Sequence, residues 1–541
     1  MAEPAQAEAG TRATAPVPPL TPHEESMVEI WREILGRQDI GVFDDFFDLD
    51  GNSMHAIRMI GRIREKYGVT IRAVDFFESP TVAALAAAVA AQAPAQRPTI
   101  SRRPPDAEPV LSFDQQRLWL VDQLVPGGAY NVHGRRRLLG PLDVPVLEAS
   151  IREIMRRQEA LRTRFPDVDG EPLQVVDELD ENWRLPVADV SDAEDRLDAA
   201  KRLADADAMT PFNLAQGPLL RCLLVRLSDT DHVLGITAHH TVCDDGSVGL
   251  FVTELSALYL AGGDPGRADL PDLPIQYRDF AVWQQEWLAG EALQGQLEYW
   301  RQHLDGAPAQ LTLPSAERPP ASPGADGGRI RSVLSINDTA ELHALCRAHD
   351  VTLFMALLAG LASVLGRWSG QSDVVIGVPI TGRTDVGTKN LIGLFFNTMP
   401  IRVGLSGDPS FTELLGRARE AALGGYAHAD APLDLIVRHV RPVRSQGRTP
   451  LFQVVLNVVD RARIDAGLGD VADEPMDGPV MPSKLDFVLT ARELDGAVTM
   501  ELEFDADRYD EARMATLLDE VGDVLRTACA ERAADAARVA G

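Results

Sequence analysis

Two adjacent histidines and a nearby aspartate are the side chains best suited to proton transfer. His239 and His240 follow the short β-prone run His232–Gly235, so we expect the pair where a strand gives way to a loop. Because side chains alternate between the faces of a strand, one histidine should pack inward and the other should reach a cavity. The spacing predicts His240 as a general base. Asp244 can fold back in a tight loop and orient it.

A second reactive side chain is Ser53, at the predicted start of a helix. The apolar stripe of that helix comprises Met54, Ile57, Ile60 and Ile63, and Gly68 ends it. Free backbone N–H groups and the positive end of the helix dipole at this position favour a phosphate. The same serine could instead simply cap the helix.

The elements around Ser53 predict a small helical unit at residues 21–92. Thr21 and Glu24 form a capping box before an apolar helix that Gly36 ends, and Ser79–Thr81 opens a last helix. An Ala/Pro-rich linker at residues 1–20 precedes the unit.

A second tether, at residues 93–109, lacks apolar periodicity and links the helical unit to the rest of the chain. The remainder is too long for one simple core. We therefore expect two lobes, residues 110–290 and 291–541.

Composition excludes several classes of partner. The 541 residues carry a formal net charge of −29, which disfavours binding to nucleic acid or to an anionic membrane because like charges repel. No apolar run approaches the roughly 20 residues of a membrane helix, and the N-terminus lacks the features of a signal peptide. We therefore expect a cytoplasmic protein.

Metal binding and thiol chemistry are the weaker interpretations of these residues. His239 and His240 are adjacent and cannot easily converge on one ion, and no zinc-protease spacing is present, so no metal is expected. The cysteines are Cys222, Cys243, Cys346 and Cys529; their scattered positions predict reduced, buried thiols. Cys243 is accordingly expected to be a small buried side chain rather than a nucleophile.

The histidine stretch resembles the HHxxxDG signature of condensation domains from nonribosomal peptide synthetases, relatives of chloramphenicol acetyltransferase. Three more stretches resemble that family's SxAQxRLWxL, RHExLRTxF and YxDFAVW motifs in the correct order: Leu111–Leu120, Arg157–Phe165 and Tyr277–Trp283. Later stretches resemble its remaining motifs, which we assign to strand, turn and lobe-closing roles: Asp373–Arg383, Asn390–Thr398 with Asn397, His428–Leu433 and Arg448–Val454.

The stretch Asp44–Met54 resembles the DDFFxLGGxS core of peptidyl carrier proteins, which implies that residues 21–92 form a small four-helix carrier domain. The resemblance implies 4'-phosphopantetheine attached covalently to Ser53, through which a peptide is held as a thioester. Asp50 replaces the first glycine of that core, and aspartate tolerates the left-handed backbone that the turn requires.

For the large unit, the resemblance implies two similar α/β lobes, arranged in a V with a tunnel between them and the histidine stretch near its middle. His240 would position the acceptor amine and take its proton, and His239 would brace the loop. Asp244 resembles the family's structural aspartate, which bonds an arginine; Arg162 and Arg383 are the candidates.

Several positions depart from the family's patterns. Asp245 replaces the usual glycine after Asp244. We therefore expect the Asp245 backbone to adopt a positive φ. We also expect its carboxylate, as a second one near His240, to raise the pKa of the imidazole. Three other motif positions differ: Asp114 replaces an alanine, Gln158 a histidine and Ala429 a glutamine.

The predicted function is peptide-bond formation, an amide-forming acyl transfer in which an acceptor aminoacyl-carrier attacks a peptidyl thioester on the carrier of the same chain. Implied partners are a downstream aminoacyl-carrier protein, a phosphopantetheinyl transferase and an upstream adenylation domain, since this chain resembles a segment of a larger synthetase. Two alternatives share the fold. One is a docking module without catalysis, and the other is an epimerisation domain, against which the SxAQxR and RHExLRTxF matches argue. The stretch Trp119–Leu124 looks most like members that join two L-residues.

Overall fold

The chain divides into two compact units, Met1–Arg97 and Pro98–Gly541, in a computed structural model. The structure describes residues 16–69, 71–92, 99–104, 107–124, 127–314, 327–383, 385–443, 448–459, 467–481 and 485–540. Most of the predicted linker at 1–20 and part of the tether at 93–109 lie outside these residues.

In the described part of the smaller unit the structure has four helices, the number that the resemblance to carrier proteins implied. They are α1 (Pro22–Leu35), α2 (Ser53–Tyr67), α3 (Ala73–Glu78) and α4 (Val82–Ala91). The capping box of Thr21 and Glu24 is present, and Gly36 ends α1 in the left-handed conformation at φ 67°. The core consists of buried aromatic rings, with Phe46 packed edge-on against Trp31 and Phe76.

The turn before α2 depends on Asp50 and Gly51. Asp50 adopts the left-handed region at φ 65°, as expected for a residue in the place of a glycine. A Cβ on Gly51 would lie 2.4 Å from the ring and the carbonyl oxygen of Phe46. The turn therefore packs directly against the core and places Ser53 as the first residue of α2.

Among the described residues, the remaining α-helices and all of the strands lie in the larger unit. Its helices are α5 (Phe113–Leu124), α6 (Val144–Arg157), α7 (Arg196–Met209), α8 (Asp245–Leu260), α9 (Tyr277–Trp287), α10 (Glu291–His303), α11 (Ile336–Ala348), α12 (Leu353–Ser369), α13 (Phe411–Ala427), α14 (Leu433–Val440) and α15 (Glu511–Ala540). Its strands are β1 (Asn131–Leu139), β2 (Thr163–Arg164), β3 (Asp167–Val168), β4 (Glu171–Pro172), β5 (Val175–Val176), β6 (Val187–Asp189), β7 (Leu220–Ser228), β8 (Asp231–His239), β9 (Gly327–Leu334), β10 (Asp373–Thr381), β11 (Phe396–Gly404), β12 (Val454–Val459), β13 (Ala472–Pro475), β14 (Phe487–Leu494) and β15 (Ala497–Asp505).

Two main sheets define the two lobes. The first has the order β13-β1-β8-β7-β6 and the second the order β11-β10-β12-β14-β15-β9. The central strand of the first sheet, β8, pairs antiparallel with β1 and β7, and its residues are almost all buried. The second sheet combines antiparallel pairs with parallel pairs among β10, β12 and β14. This α/β architecture is the predicted fold class.

The strand β13 crosses from one lobe to the other. It belongs to the C-terminal part of the chain but pairs antiparallel with the edge strand β1 of the first sheet. A largely buried ion pair of 2.6 Å between Arg136 and Asp473 accompanies the pairing. On the far side of the crossing, Arg329 of β9 donates to the carbonyl oxygen of Gly478 at 3.1 Å. The crossing segment is thus attached to both lobes.

Among the described helices, no single one is both long enough and apolar enough to cross a bilayer.

Candidate active site

His239 is the last residue of β8 and points into the packed interior. It is 1% exposed, its Nδ1 lies 2.9 Å from the Thr241 hydroxyl, and its ring meets the edge of Phe212. Burial, together with the neighbouring His240, lowers the pKa of His239 to about 3. His239 is therefore uncharged at neutral pH and fills a buried position.

His240 lies just beyond the strand and remains partly exposed. Its backbone N–H donates to the carbonyl oxygen of Tyr130 at 2.8 Å, and its ring stacks on Phe396 of the second lobe at 4.7 Å between centroids. Its Nδ1 is buried and has no hydrogen-bond partner in the described structure. Burial lowers the pKa of His240; the nearby carboxylates oppose this effect, and Arg117 adds to it. The imidazole is thus a neutral base at the junction of the lobes.

Asp244 is the N-cap of α8 and forms a polar link between the lobes. Both of its oxygens accept from Arg383, at 2.7 and 2.9 Å, and the backbone N–H of Phe395 adds a bond of 3.0 Å. Ser247 donates to the same carboxylate through its N–H and its hydroxyl, each at 2.8 Å. Burial alone raises the pKa of Asp244, but Arg383 and these donors hold the pKa below its ordinary value.

Of the two arginine candidates, the structure pairs Asp244 with Arg383 and not with Arg162. Arg162 ends the short 3-10 helix Glu159–Arg162 and donates to the carbonyl oxygens of Met155, Arg156 and Asp177. The interpretation of Arg162 as a partner of Asp244 is wrong. Its guanidinium instead holds the backbone of its own segment, because those carbonyl oxygens lie within its reach.

Of the two expectations for Asp245, the structure corrects the one on its backbone and confirms only the direction of its effect on His240. Asp245 is an exposed first residue of α8, and it is not among the described residues with positive φ. A helical position accepts any side chain without left-handed strain, so glycine is not required there. Its carboxylate does act to raise the pKa of His240, but burial outweighs that effect and the net pKa is lowered.

Asn397 supports the site from one residue away. Its Nδ2 donates to the carbonyl oxygens of Ala429 and Ala431, and its Oδ1 accepts from the N–H of Leu433 at 3.1 Å. These bonds attach the start of α14 to β11, next to the Phe396 ring that stacks on His240.

Three residues that hold the site together were not predicted from the sequence. Phe396 stacks on His240, Ser247 joins Asp244 to the Gly393 backbone, and Gln115 of α5 donates to the carbonyl oxygen of Thr241 at 3.1 Å. Phe396 and Gln115 lie inside stretches that resemble family motifs, and Ser247 follows the histidine stretch closely. Their contacts depend on segments far apart in the chain, so no local pattern reveals them.

The Ser53 site fits a covalently attached phosphate ester. Ser53 starts α2, where free N–H groups favour an anion. The cap of that helix is the Asn52 side chain, which accepts from the N–H of His55 at 2.9 Å, so the cap does not depend on the Ser53 hydroxyl. The residue is 4% exposed.

The cysteines are all free and buried, as predicted, and burial raises the pKa of the Cys243 thiol. Among the described residues, no group of histidine, cysteine and acidic side chains could hold a metal ion.

Two protein families match the chain. The family described as Phosphopantetheine attachment site matches residues 25–89, and the family described as Condensation domain matches residues 107–539. Phosphinothricin tripeptide synthetase PhsB of Streptomyces viridochromogenes is 38% identical over 505 residues, which is 90% of this chain and 42% of that protein. The dimodular nonribosomal peptide synthase of Bacillus subtilis is 35% identical over 94% of this chain and 22% of that protein. The chain thus spans less than half the length of these relatives.

Solved structures share the fold of the larger unit. The X-domain from teicoplanin biosynthesis superposes with a TM-score of 0.71 at 29% identity, covering 80% of this chain and 97% of that domain. The X-domain in its complex with OxyB gives a TM-score of 0.71 at 28% identity, covering 81% of this chain and 96% of that one. The first condensation domain of the calcium-dependent antibiotic synthetase has a TM-score of 0.67 at 23% identity, with coverage of 79% and 97%. The chain therefore belongs to the condensation domain family of nonribosomal peptide synthetases and carries a phosphopantetheine-binding carrier domain before that domain.

Proposed function

We propose that this chain forms peptide bonds by transferring a peptidyl group from a thioester on its own carrier to the amine of an aminoacyl group on a downstream carrier. The observation that carries the proposal is the state of His240: an uncharged imidazole, partly exposed at the junction of the lobes, with one ring face on Phe396. A neutral imidazole beside an acyl acceptor can take up a proton at physiological pH.

In the proposed transfer, one bond forms, one breaks and one proton moves. The phosphopantetheine arm on Ser53 supplies the thiol that holds the donor acyl group as a thioester. The acceptor nitrogen attacks the donor carbonyl carbon, the C–N bond forms and the C–S bond breaks. His240 receives the proton that the nitrogen loses and returns it to the departing thiolate. Since an α-amino group titrates near 8, a useful fraction of the acceptor is already neutral, and positioning contributes much of the rate.

The other site residues act through His240. His239, held by Thr241, fixes the end of β8. The Asp244–Arg383 pair holds the loop after His240 against the second lobe, and Asn397 fixes the segment that carries Phe396. In this proposal they are positioning residues.

Three partners follow from the carrier and condensation domains. A phosphopantetheinyl transferase modifies Ser53, an adenylation domain upstream in the synthetase supplies activated residues, and a separate aminoacyl-carrier protein accepts the chain.

The experiment is a reconstituted transfer. Ser53 is loaded with a dipeptidyl-phosphopantetheine, a separate aminoacyl-carrier is added, and both proteins are followed by intact mass. We expect extended peptide on the acceptor, reduced about 10²- to 10⁴-fold in His240→Ala, the range for loss of a general base. His349→Ala, at the C-cap of α11, serves as the matched control and should transfer normally. Full loading of Ser53 without transfer to any acceptor would refute the proposal.

The second candidate is a docking module without transfer activity. It is favoured by one observation, the likeness to the X-domain, one structure of which is a complex with OxyB. Under this alternative His240→Ala changes nothing in the transfer assay, because neither protein extends the peptide. The same experiment therefore separates the two functions.

A further inference from the structure

A loop of the second lobe is inserted into the core of the first lobe beside the candidate active site. This interlobe loop, residues 390–395, is the last part of the connection from β10 to β11. Its apolar side chains pack in the core of the first lobe and are at most 3% exposed: Leu391, Ile392, Leu394 and Phe395. The next residue is Phe396, whose ring stacks on His240. The backbone of the interlobe loop therefore determines where that ring lies.

Gln158, the C-cap of α6 in the first lobe, holds the beginning of the interlobe loop at two points. Its Oε1 accepts from the backbone N–H of Ile392 at 3.0 Å, and its Nε2 donates to the carbonyl oxygen of Asn390 at 3.0 Å. The same Nε2 donates to the carboxylate of Glu254, on α8, at 2.8 Å. Gln158 is fully buried, so loss of its carboxamide would leave buried polar groups without their partner.

The carboxamide matches these three partners in number and kind. They require one acceptor and two donors, which glutamine supplies without carrying a charge. The family motif has a histidine at this position, and an imidazole has two ring nitrogens, enough for two of the three bonds. A glutamate would place a second carboxylate against Glu254. Gln158 therefore gives this chain one more hydrogen bond at this point than the histidine of the motif could make.

The end of the interlobe loop is also attached to the first lobe. The carbonyl oxygen of Gly393 accepts from the Asp244 N–H at 3.1 Å, and that of Leu394 accepts from the Tyr277 hydroxyl at 2.7 Å. A Cβ on Gly393 would lie 2.1 Å from the Tyr277 ring, so the loop and the ring are in direct contact. Since Gln158 holds the beginning and these residues hold the end, the loop is fixed at both ends.

We propose that Gln158 is a positioning residue for peptide transfer: by fixing the interlobe loop it places Phe396, and through the stacked ring it orients the imidazole of His240. The Nδ1 of that imidazole has no hydrogen-bond partner in the described structure, so the stack takes the place of a bond at this atom. The inference rests on the proposed transfer function, because the imidazole that Gln158 positions is the base of that reaction.

The first measurement detects the position of the His240 ring without any transfer. The full chain is labelled with 13C in its histidine rings, and the His240 signal in the NMR spectrum is assigned by its loss in His240→Ala. An aromatic ring stacked at 4.7 Å shifts this signal upfield, and Phe396→Leu gives its unstacked position. We expect Gln158→Met, which keeps the length of the side chain without its hydrogen bonds, to move the signal towards the unstacked position.

Gln371→Met is the matched control for this comparison. Gln371 likewise accepts from a backbone N–H, that of Thr312 at 3.3 Å, and donates to a carbonyl oxygen, that of Gln310 at 3.1 Å. All three residues belong to the second lobe, so this variant should leave the His240 signal in its wild-type position. A signal that is equally unmoved in Gln158→Met would overturn the inference, whether or not the wild type transfers a peptide.

The second measurement is kcat/KM in the transfer assay. We expect Gln158→Met to lower kcat/KM about tenfold, less than the roughly hundredfold that a misplacement of about 1 Å can cost. In a protein that already carries His240→Ala, the same substitution should change kcat/KM little, because the group that it displaces is absent. Gln158→His can keep two of the three bonds and should transfer faster than Gln158→Met. It is also the second variant to measure if Gln158→Met does not fold.

The outcomes separate the positioning role from a structural one. A defect of folding alone would lower transfer by the same factor with and without His240, so equal factors would overturn the route through this residue. Transfer at the wild-type rate in Gln158→Met would overturn the positioning role and leave the proposed function standing. If the wild type transfers to no acceptor, the proposed function fails, and the NMR comparison still decides whether Gln158 places the His240 ring.

Discussion

Replacing Arg383 with glutamine should destabilise the condensation domain by about 3 kcal/mol, near the lower end of the range for breaking a buried ion pair. The side chains of Arg383 and Asp244 are only 12% and 4% exposed, so solvent screens the pair little. The variant leaves a carboxylate buried without its counter-charge. Three hydrogen bonds to the Asp244 carboxylate remain, two from Ser247 and one from the Phe395 backbone, so the loss of stability should not reach the upper end of that range.

The assay is urea unfolding of the full chain, followed through the transition of the condensation domain. Arg301→Gln is the matched control, because the side chains of its 2.7 Å pair with Glu298 are about half exposed, so solvent screens the pair and its loss should change the free energy of unfolding little. A double-mutant cycle with Asp244→Asn isolates the pair, and we expect the double variant to lose less than the sum of the single variants. A loss in Arg383→Gln no larger than that of the control, or strict additivity in the cycle, would refute the conclusion that this pair stabilises the contact between the lobes.

The pH dependence gives an independent check. The folded-state pKa of Asp244 is lowered, so its contribution to stability is present above the unfolded value near 3.9 and is lost as pH falls below it. Without Arg383, burial raises that pKa relative to the wild type, and protonation can neutralise the carboxylate at a higher pH. The stability difference between wild type and Arg383→Gln should therefore shrink as pH falls from 7 to 4.5. A difference that grows over this range would contradict the electrostatic explanation.

Three further perturbations test other parts of the molecule. Asp50→Val should lower carrier stability by about 1–2 kcal/mol, because a β-branched residue tolerates φ 65° poorly, whereas Asp50→Gly should be tolerated; hydrogen exchange of the carrier peptides measures both. Gly478→Ala should destabilise the crossing segment, since the added Cβ would lie 2.0 Å from His133 Nε2. In Gly416→Ala, in α13, the added Cβ meets no atom within 4 Å, and the substitution should stabilise the protein by about 0.5–1 kcal/mol. Urea unfolding measures both changes. The lowered pKa of His240 keeps its imidazole neutral at pH 7, so kcat/KM for transfer should rise between pH 6.5 and 8.5 with the acceptor amine, near pKa 8; a rise tracking a group near 6.5 would contradict this assignment.

Local patterns in the sequence determined much of the architecture. The helix signals at Thr21, Gly36 and Gly68 are realised, because caps and left-handed ends depend only on neighbouring residues. The predicted change from strand to loop at the histidine pair is also realised, since β8 ends at His239. The left-handed turn at Asp50 also follows from one residue in its motif.

Contacts between distant segments were decided by the tertiary structure alone. Which arginine meets Asp244 depends on the packing of the second lobe, which brings Arg383 to the start of α8 and leaves Arg162 among carbonyl oxygens of its own segment. The protonation of His240 likewise required the fold: the sequence shows the nearby carboxylate of Asp245, but burial, a property of the packed molecule, outweighs its effect on the pKa. Spacing along the chain thus determined which residue types are available, and packing determined their partners and charges.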